Sequence, residues 1–420
     1  MNQEQWNPKE FPWEEIKDRE RFCSHDWTKR ILDGLSVYRP GTTEIDPGRQ
    51  KQIVSYLKDN AQYALARLQA LADELKQQFV QKDEIIDMVI VSAIAHQPML
   101  LLGPPGTAKS KIILKFCEGL GIGRAGDAPS RDKTSLQYLL PDRTGNVSSE
   151  KHTVYQYLLH GFTEPDEVLG PVDIEQLRKE SKFRRIREGS IIDSEVVFLD
   201  EVFRANSAIL NALLTVMNER RVYEGGQAYP ARARLIYGAS NDIPSPQQMK
   251  DLKAFYERFI LRMESDFVPM RFAGSEKVIP DKRKKLLEQG WRAEIRDLRA
   301  GYQPQGAAMS PIACLNDILF LNRVVTELWG GADFNDPFIQ LILQPYHRLV
   351  IALSGGDKPI CTIDDRKFIR LFLLVRAHAL YSHNGPPRLK NLTVLKHIWH
   401  DLDSKQKVAD AVTKFITEEK

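Results

Sequence analysis

The chain has few of the residues that build metal centres or redox pairs. Its four cysteines among 420 residues lie far apart with no C-x-x-C spacing, which argues against a zinc site and suits a reducing compartment. His397 and His400 are three residues apart, but no carboxylate or cysteine partner is evident in the sequence around them. We therefore expect these two histidines to pack in the protein rather than to bind a metal.

Long apolar runs and an excess of one charge are also missing. No run approaches the roughly 20 apolar residues that a membrane-spanning helix needs, and the polar start MNQEQWNPKE lacks the apolar core of a secretory signal. The net charge is only +3, which argues against a nucleic-acid partner on electrostatic grounds. With 42% hydrophobic and 27% charged residues, the sequence predicts a cytoplasmic globular protein of two or three domains with no membrane span.

The stretch LLLGPPGTAKSKIILKF, from Leu100 to Phe116, predicts a strand, a glycine-rich loop and a helix. Such a loop directs successive backbone N–H groups into one concavity at a helix N-terminus, where the helix dipole also favours anions. Lys109 would reach the β- and γ-phosphates of a nucleoside triphosphate, and the Ser110 hydroxyl would bind Mg²⁺. The residues predicted to hold the nucleotide are Gly103, Pro104, Pro105, Gly106, Thr107, Ala108, Lys109 and Ser110.

One position departs from the usual phosphate-loop pattern G-x-x-x-x-G-K-[ST]. The pattern expects glycine before the lysine, and this chain has Ala108. A methyl group is tolerable there if the backbone φ of Ala108 is negative. The alternative interpretation is a glycine-rich turn from strand to helix that carries a solvated lysine.

A second stretch, EVVFLDEVFRANSAILNALLTVMNERRV, predicts a buried strand that ends in two acids. In an open α/β sheet, ligands bind at the carboxyl edge of the strands, where Asp200 would bind Mg²⁺ and Glu201 would orient and polarise the attacking water. A later buried strand ends at Asn241, whose amide could hydrogen-bond the water or the γ-phosphate. An asparagine at the end of a strand is otherwise a common turn residue.

The order of these segments predicts an α/β fold with a parallel sheet, followed by an all-α region. We expect an aromatic and charged extension over residues 1–50, a nucleotide-binding core over 51–275, a linker with one helix over 276–310 and a helical domain over 311–420. The aromatic residues of the extension either pack on the core or anchor a partner.

Local patterns give four further expectations. The segments KFRRIREGSII and VYEGGQAYPARA are typical of hairpins. A strand is expected over Asp266 to Val268, and a helix over Leu395 to Leu402.

Taken in order, GPPGTAKS, VVFLDE, GASN and YERFILR, followed by a helical region, resemble the AAA+ ATPases. Longer phrases, among them QYLLHGFTEPDEVLGP and IDDRKFIRLFLLVRAHALYSHNG, resemble the RavA branch of the MoxR group. The resemblance implies an αβα P-loop core with a helical lid. It also implies that Arg366 contacts the γ-phosphate in its own subunit, and that Arg258 is an arginine finger for the neighbouring subunit. Arg262 is a weaker second candidate for the finger, and the alternative for Arg258 is an ion pair with Glu257 or Glu264.

The resemblance further implies ATP and Mg²⁺ as cofactors, and a ring, expected to be a hexamer as in the family, that remodels or matures a protein client. A partner with a von Willebrand A domain is expected on the same ground, and the preference for ATP over GTP rests on the resemblance alone. Two other functions stay open at this point. One is a nucleotide-gated scaffold without turnover, and the other is a motor on nucleic acid.

Overall fold

The computed structural model describes residues 47–124, 140–141, 147–148, 153–180, 183–224, 227–242, 252–267, 281–299, 309, 311–328, 337–355 and 359–419. The predicted aromatic extension lies almost wholly outside these residues. In the described part of the chain the strands are β1 (Met99–Leu102), β2 (Gly123–Arg124), β3 (Leu140–Pro141), β4 (Val147–Ser148), β5 (Thr153–Leu158), β6 (Val196–Asp200), β7 (Arg221–Glu224), β8 (Gln227–Pro230), β9 (Leu235–Ser240) and β10 (Leu261–Glu264).

Six of these strands form one sheet in the order β10-β1-β9-β6-β5-β2. Every neighbouring pair in this sheet is parallel. All residues of β1 and β9 are buried, as expected for parallel strands that are covered on both faces. The predicted α/β fold with a parallel sheet is therefore confirmed.

Helices cover the sheet and make up the described part of the chain's last quarter. They are α1 (Pro47–Gln78), α2 (Asp83–Ala95), α3 (Lys109–Gly119), α4 (Pro165–Leu169), α5 (Ile174–Glu180), α6 (Ser207–Glu219), α7 (Asp281–Arg299), α8 (Leu315–Arg323), α9 (Pro337–Ser354), α10 (Asp365–His383) and α11 (Leu402–Glu418). Residues 252–256 form a further short helix. Val202–Arg204 and Leu389–His397 are 3₁₀ segments, and Val324–Leu328 continues α8 as a π-helical turn.

Two predicted element boundaries were wrong. The strand expected over Asp266 to Val268, the last of which lies outside the described residues, is found earlier, at β10, because Leu261 to Glu264 are the residues that pair with β1. The helix expected over Leu395 to Leu402 is instead the end of a 3₁₀ segment followed by the start of α11. Asp401 separates the two, because its side chain accepts a hydrogen bond from the backbone N–H of Ser404 at 2.7 Å and caps α11.

The two predicted hairpins have different outcomes. Strands β7 and β8 pair antiparallel as expected, and the two glycines of their turn lie outside the described residues. The described part of the other segment, residues 183–192, does not fold back on itself. Arg185 instead forms an antiparallel bridge with Val172, and Ile186 N–H donates to Pro171 O at 2.8 Å. The segment at Pro171 and Val172 therefore makes the backbone contacts that were expected between the two halves of the hairpin.

The C-terminal helices pack directly on the first two helices. The Tyr381 hydroxyl of α10 donates to Asp87 Oδ1 of α2 at 2.8 Å, and Gln69 of α1 donates to Tyr381 O at 3.1 Å. Asp317 of α8 and Arg67 of α1 form a buried ion pair, with 2.9 Å between Arg67 Nε and Asp317 Oδ2. Across the described residues, no helix has both the length and the apolar character to cross a membrane.

Breaking the Arg67–Asp317 pair should destabilise the fold strongly. The Arg67→Met substitution leaves the Asp317 carboxylate buried without its counterion, which typically costs about 3–5 kcal/mol of unfolding free energy. Urea unfolding followed by circular dichroism measures the loss. Lys179→Gln, which breaks the exposed pair with Glu175, is the control and should leave the midpoint unchanged. A loss for Arg67→Met below about 1 kcal/mol would contradict the prediction.

Candidate nucleotide site

The predicted phosphate loop connects the end of β1 to the start of α3. Gly103, the first loop residue, has φ 141°, and a Cβ there would collide with the backbone carbonyl of Ser265. Two hydrogen bonds hold the loop in place, each 2.8 Å long. Thr107 Oγ1 donates to Pro104 O within the loop, and Ser265 Oγ donates to Thr107 O from outside it. The strand, loop and helix expected from the sequence are all present.

Ala108 does not have the negative φ on which its tolerance depended. Its φ is 68° and its ψ is 17°, in the left-handed region. Gly106, two residues earlier, also has a positive φ, of 81°. The loop therefore keeps the backbone shape for which the usual glycine is suited, and Ala108 carries steric strain between its Cβ and the neighbouring backbone.

Lys109, at the start of α3, points back into the loop. Its ammonium group donates to Gly103 O at 2.5 Å, to Pro104 O at 3.0 Å and to Asn241 Oδ1 at 2.9 Å. Burial lowers the pKa of Lys109, while the negative charges of Asp200 and Glu201 oppose that shift. The lysine thus lies among acceptors that a bound triphosphate could replace.

The loop and the paired acids meet at one edge of the sheet. Ser110 Oγ donates to Asp200 Oδ2 at 2.7 Å, and the backbone N–H of Glu201 donates to Asp200 Oδ1 at 3.0 Å. No cluster of three or more His, Cys, Asp or Glu residues suited to a metal occurs among the described residues. A Mg²⁺ ion held by Ser110 and Asp200 would take its other ligands from phosphate and water, as Mg²⁺ usually does in proteins.

The Glu201 carboxylate is held by two side chains. Asn241 Nδ2 donates to Glu201 Oε1, and Arg204 Nε lies 3.3 Å from Glu201 Oε2. The sequence-based set of site residues did not include Arg204. The only signal for it was its position one 3₁₀ turn after Glu201, which does not distinguish it from an ordinary surface arginine.

Arg258 and Arg366 lie together, away from this edge. They line one small cavity together with Arg370 and Ile260. The backbone N–H of Ile260 donates at 3.2 Å to the carbonyl of Pro98, the residue just before β1. The cavity therefore lies at the edge where the strands begin, opposite the phosphate loop.

The expectation that Arg366 contacts the phosphate in its own subunit is not supported by this placement. Helix α2 runs from the phosphate-loop edge to Pro98, and α10 packs along α2 in the opposite direction. The end of α10, at Tyr381, lies near Asp87. The start of α10, where Arg366 lies, is therefore at the edge of the sheet opposite the phosphate loop.

Neither alternative ion pair of Arg258 forms. Lys253 lies 4.0 Å from Glu257, and Lys405 pairs with Glu264. The Nε atom of Arg258 is buried without a hydrogen-bond partner. Burial lowers the pKa of nearby Arg370, and the positive charges of Arg366 and Arg258 lower it further. Two acids, Glu257 and Asp364, line the same cavity, and the cationic side chains outnumber them.

Arg262, the second candidate for a finger, is fully buried. Its guanidinium donates to Trp399 O at 2.6 Å and to Tyr256 O at 3.1 Å. The first bond joins β10 to the C-terminal region and the second joins it to the short helix before β10, so Arg262 has a structural role and is not available to a neighbouring subunit.

The two histidines that the sequence suggested as packing residues have ordinary partners. His397 Nε2 lies 3.2 Å from Glu84 Oε1. His400 Nε2 accepts from the backbone N–H of Thr362 at 2.6 Å, and burial lowers the pKa of His400 to about 3. Both rings join the C-terminal segment to its neighbours.

The sheet order and the loop define the class of protein. A solved structure from Cytophaga hutchinsonii, named a "putative ATPase", matches with a TM-score of 0.54 and 15% sequence identity, over 87% of this chain and 98% of that one. At this identity the match shows the fold alone. A family model described as the MoxR domain in the MoxR-vWA-beta-propeller ternary systems, bpMoxR, matches residues 66–127 and 145–309. The chain belongs to this family and is a MoxR-type AAA+ ATPase.

The chain is also similar to two proteins of Methanocaldococcus jannaschii. Uncharacterized protein MJ0812 is 31% identical over 348 residues, which are 83% of this chain and 75% of the relative. Uncharacterized protein MJ0079 is also 31% identical, over 196 residues that make up 47% of this chain and 43% of the relative. The chain therefore spans three quarters of the first relative and less than half of the second.

Replacing Ala108 with glycine should raise stability. A left-handed conformation costs a residue with a Cβ roughly 1–2 kcal/mol, and the greater flexibility of unfolded glycine offsets about half of that. We expect the unfolding temperature to rise by a few degrees in a thermal scan. Ala409→Gly in α11 is the control, and it should lower the unfolding temperature because glycine disfavours helix. A lower unfolding temperature for Ala108→Gly would show that Ala108 is unstrained.

Proposed function

We propose that this chain hydrolyses ATP with Mg²⁺ bound between Ser110 and Asp200. The observation that carries the proposal is the hydrogen bond between these two side chains. It brings a predicted phosphate loop and a predicted acid pair, 90 residues apart in sequence, into contact. A scaffold that only binds nucleotide would not need the Glu201 carboxylate at the same edge.

In this proposal each side chain has one task. Lys109 exchanges the carbonyls of its own loop for the β- and γ-phosphates. A bound Mg²⁺ would neutralise charge on the phosphate oxygens. Asn241 orients the γ-phosphate or the water. Glu201 accepts a proton from the water while the oxygen of that water attacks the γ-phosphorus. The products are ADP and phosphate, and the proton leaves later from Glu201.

The arginine cluster completes the site of a second copy. Arg258 and Arg366 lie at the edge opposite their own phosphate loop, so we propose that both act on the nucleotide of a neighbouring subunit. Charge on the transferring phosphoryl group needs cations close by. A monomer would have both halves of the site but could not bring them together. A closed ring, with six subunits as our working number, meets this need.

The ring would act on a protein client. The family is named for systems that combine MoxR with vWA and β-propeller proteins, which supports a partner containing a von Willebrand A domain. We propose that hydrolysis drives remodelling or maturation of that client in the cytoplasm. Membership of the RavA-like branch stays a prediction from the sequence.

Variants of Lys109 and Glu201 separate binding from chemistry. Lys109→Ala should weaken ATP binding at least tenfold, because the phosphates lose their cation. Glu201→Gln should bind ATP normally but lose about 10²–10⁴-fold in kcat, because the amide cannot accept the proton. Calorimetry measures binding, and phosphate release measures turnover. Equal turnover by the wild type and Glu201→Gln would refute the role of Glu201.

Mixed rings test the arginine cluster. Arg258→Ala and Arg366→Ala should each bind ATP and lose turnover. Mixing either variant with Glu201→Gln subunits should restore part of the activity, because some interfaces then pair an intact arginine cluster with an intact Glu201. If activity recovers with Arg258→Ala but not with Arg366→Ala, then Arg366 acts on the nucleotide of its own subunit.

A further inference from the structure

Arg370 lines the same cavity as Arg258 and Arg366, but the function proposed above gives it no role. It follows Arg366 by four residues within α10, so the two side chains lie on the same face of the helix, one turn apart. Arg366 is exposed, whereas Arg370 and Arg258 are half-buried. Three guanidinium groups from two separate segments of the chain therefore meet at one place.

These three arginines lack anionic partners in the part of the chain that the structure describes. The side chains of Arg258, Arg366 and Arg370 form no hydrogen bond there, and no carboxylate lies within ion-pair distance of them. The Nε atom of Arg258 is buried without an acceptor. By contrast, the exposed Arg348 of α9 pairs with Glu419 at 2.7 Å. Each of the three arginines thus has donors available for an anion.

The other charged groups of the cavity already have partners. Asp364 accepts from the backbone N–H of Lys367 at 2.6 Å and caps α10. Lys253 lies 4.0 Å from Glu257. Lys367 is buried, and its ammonium group donates to Thr362 O at 3.0 Å. The lysine therefore fastens the start of α10, and the arginines are the groups that remain for a ligand.

The chemistry of the cluster favours a phosphoryl group. A guanidinium presents parallel N–H donors that match the oxygens of a phosphate, and cations placed close together repel each other until an anion lies between them. This face of α10 is also open, because Ile369, the residue before Arg370, is 69% exposed. A second copy of the chain can therefore bring its nucleotide to the cluster.

We propose that Arg370 is a third arginine that binds the γ-phosphate of the nucleotide held by a neighbouring copy. The inference rests on the proposed function, in which Arg258 and Arg366 act on that nucleotide. Arg366 and Arg370, one helical turn apart, hold the phosphoryl group from α10, while Arg258 approaches it from the segment before β10. The three cations together stabilise the charge of the transferring group.

The first test measures ATP turnover by full-length variants. Arg370→Gln should lower kcat about 10- to 100-fold, the usual loss for one hydrogen bond to a charged group. Its affinity for ATP, measured by calorimetry, should stay within twofold, because its own phosphate loop is intact. Arg370→Lys should recover only part of the turnover, because an ammonium group cannot offer two parallel donors. Arg348→Gln is the matched control and should change neither quantity.

Mixed assemblies distinguish a contact across copies from damage within one copy. Arg370→Gln mixed with Glu201→Gln should recover part of the activity, because some interfaces then join an intact arginine cluster to an intact Glu201. A subunit whose own site had been distorted by the loss of Arg370 would not be rescued in this way. Thermal unfolding without ligand verifies that each variant is folded.

The second test measures anion binding without turnover. In the Lys109→Ala background, which disables the phosphate loop, millimolar sodium tripolyphosphate should raise the unfolding temperature through the arginine cluster. Adding Arg370→Gln should remove at least half of that rise, whereas adding Arg348→Gln should leave it intact. A rise that does not depend on Arg370, or no rise at all, would overturn the inference.

Glu201→Gln, measured alongside, separates this inference from the function on which it rests. If Glu201→Gln keeps full turnover, the proposed hydrolysis fails, and the tripolyphosphate measurement still decides whether Arg370 binds a phosphate. If Glu201→Gln loses turnover while Arg370→Gln keeps the wild-type kcat, only the role of Arg370 fails. The absence of rescue in the mixed assemblies would likewise contradict a contact across copies.

Discussion

The hydrogen bond between Ser110 and Asp200 depends on the register of three parallel strands. β9 lies between β1 and β6, with Leu101 opposite Ala239 and Leu199 opposite Gly238. Gly238 lets β9 pack closely, because a Cβ there would come within 2.8 Å of the Phe259 ring. A slip of one residue would turn Asp200 to the other face of the sheet. The nucleotide site is therefore a consequence of core packing as much as of the loop sequence.

Charge is distributed unequally between the two edges of the sheet. The carboxyl edge carries Asp200 and Glu201 beside Lys109, whereas the opposite edge carries Arg258, Arg366 and Arg370 around one cavity. The arginine cluster has more positive charge than its own acids balance, because only Glu257 and Asp364 line the cavity beside its four cationic side chains. An anion supplied by another molecule would relieve that repulsion. Under the proposed function, the anion is the triphosphate held by a neighbouring copy.

The sequence predicted the parts of the site that are local in the chain. The strand, loop and helix around Lys109 follow from apolar runs and glycine spacing, and the buried strand before Asp200 follows from its apolar run. The placement of Arg366 could not be predicted in this way, because it depends on the direction in which α10 packs along α2. The ion pair of Arg204 was also beyond the sequence, since an exposed arginine has no pattern that reveals its partner.

The backbone adds a constraint that the side chains do not show. Six non-glycine residues have positive φ in the described part of the chain, and three of them, His96, Arg220 and Asn384, end helices, where this conformation is common. Ala108 and Glu201 instead come before α3 and the 3₁₀ turn. Such strain persists only where the surroundings enforce it. Here the bond from Ser265 to Thr107 and the bond from Glu201 N–H to Asp200 provide that enforcement. The site is thus held in shape by its neighbours before any phosphate arrives.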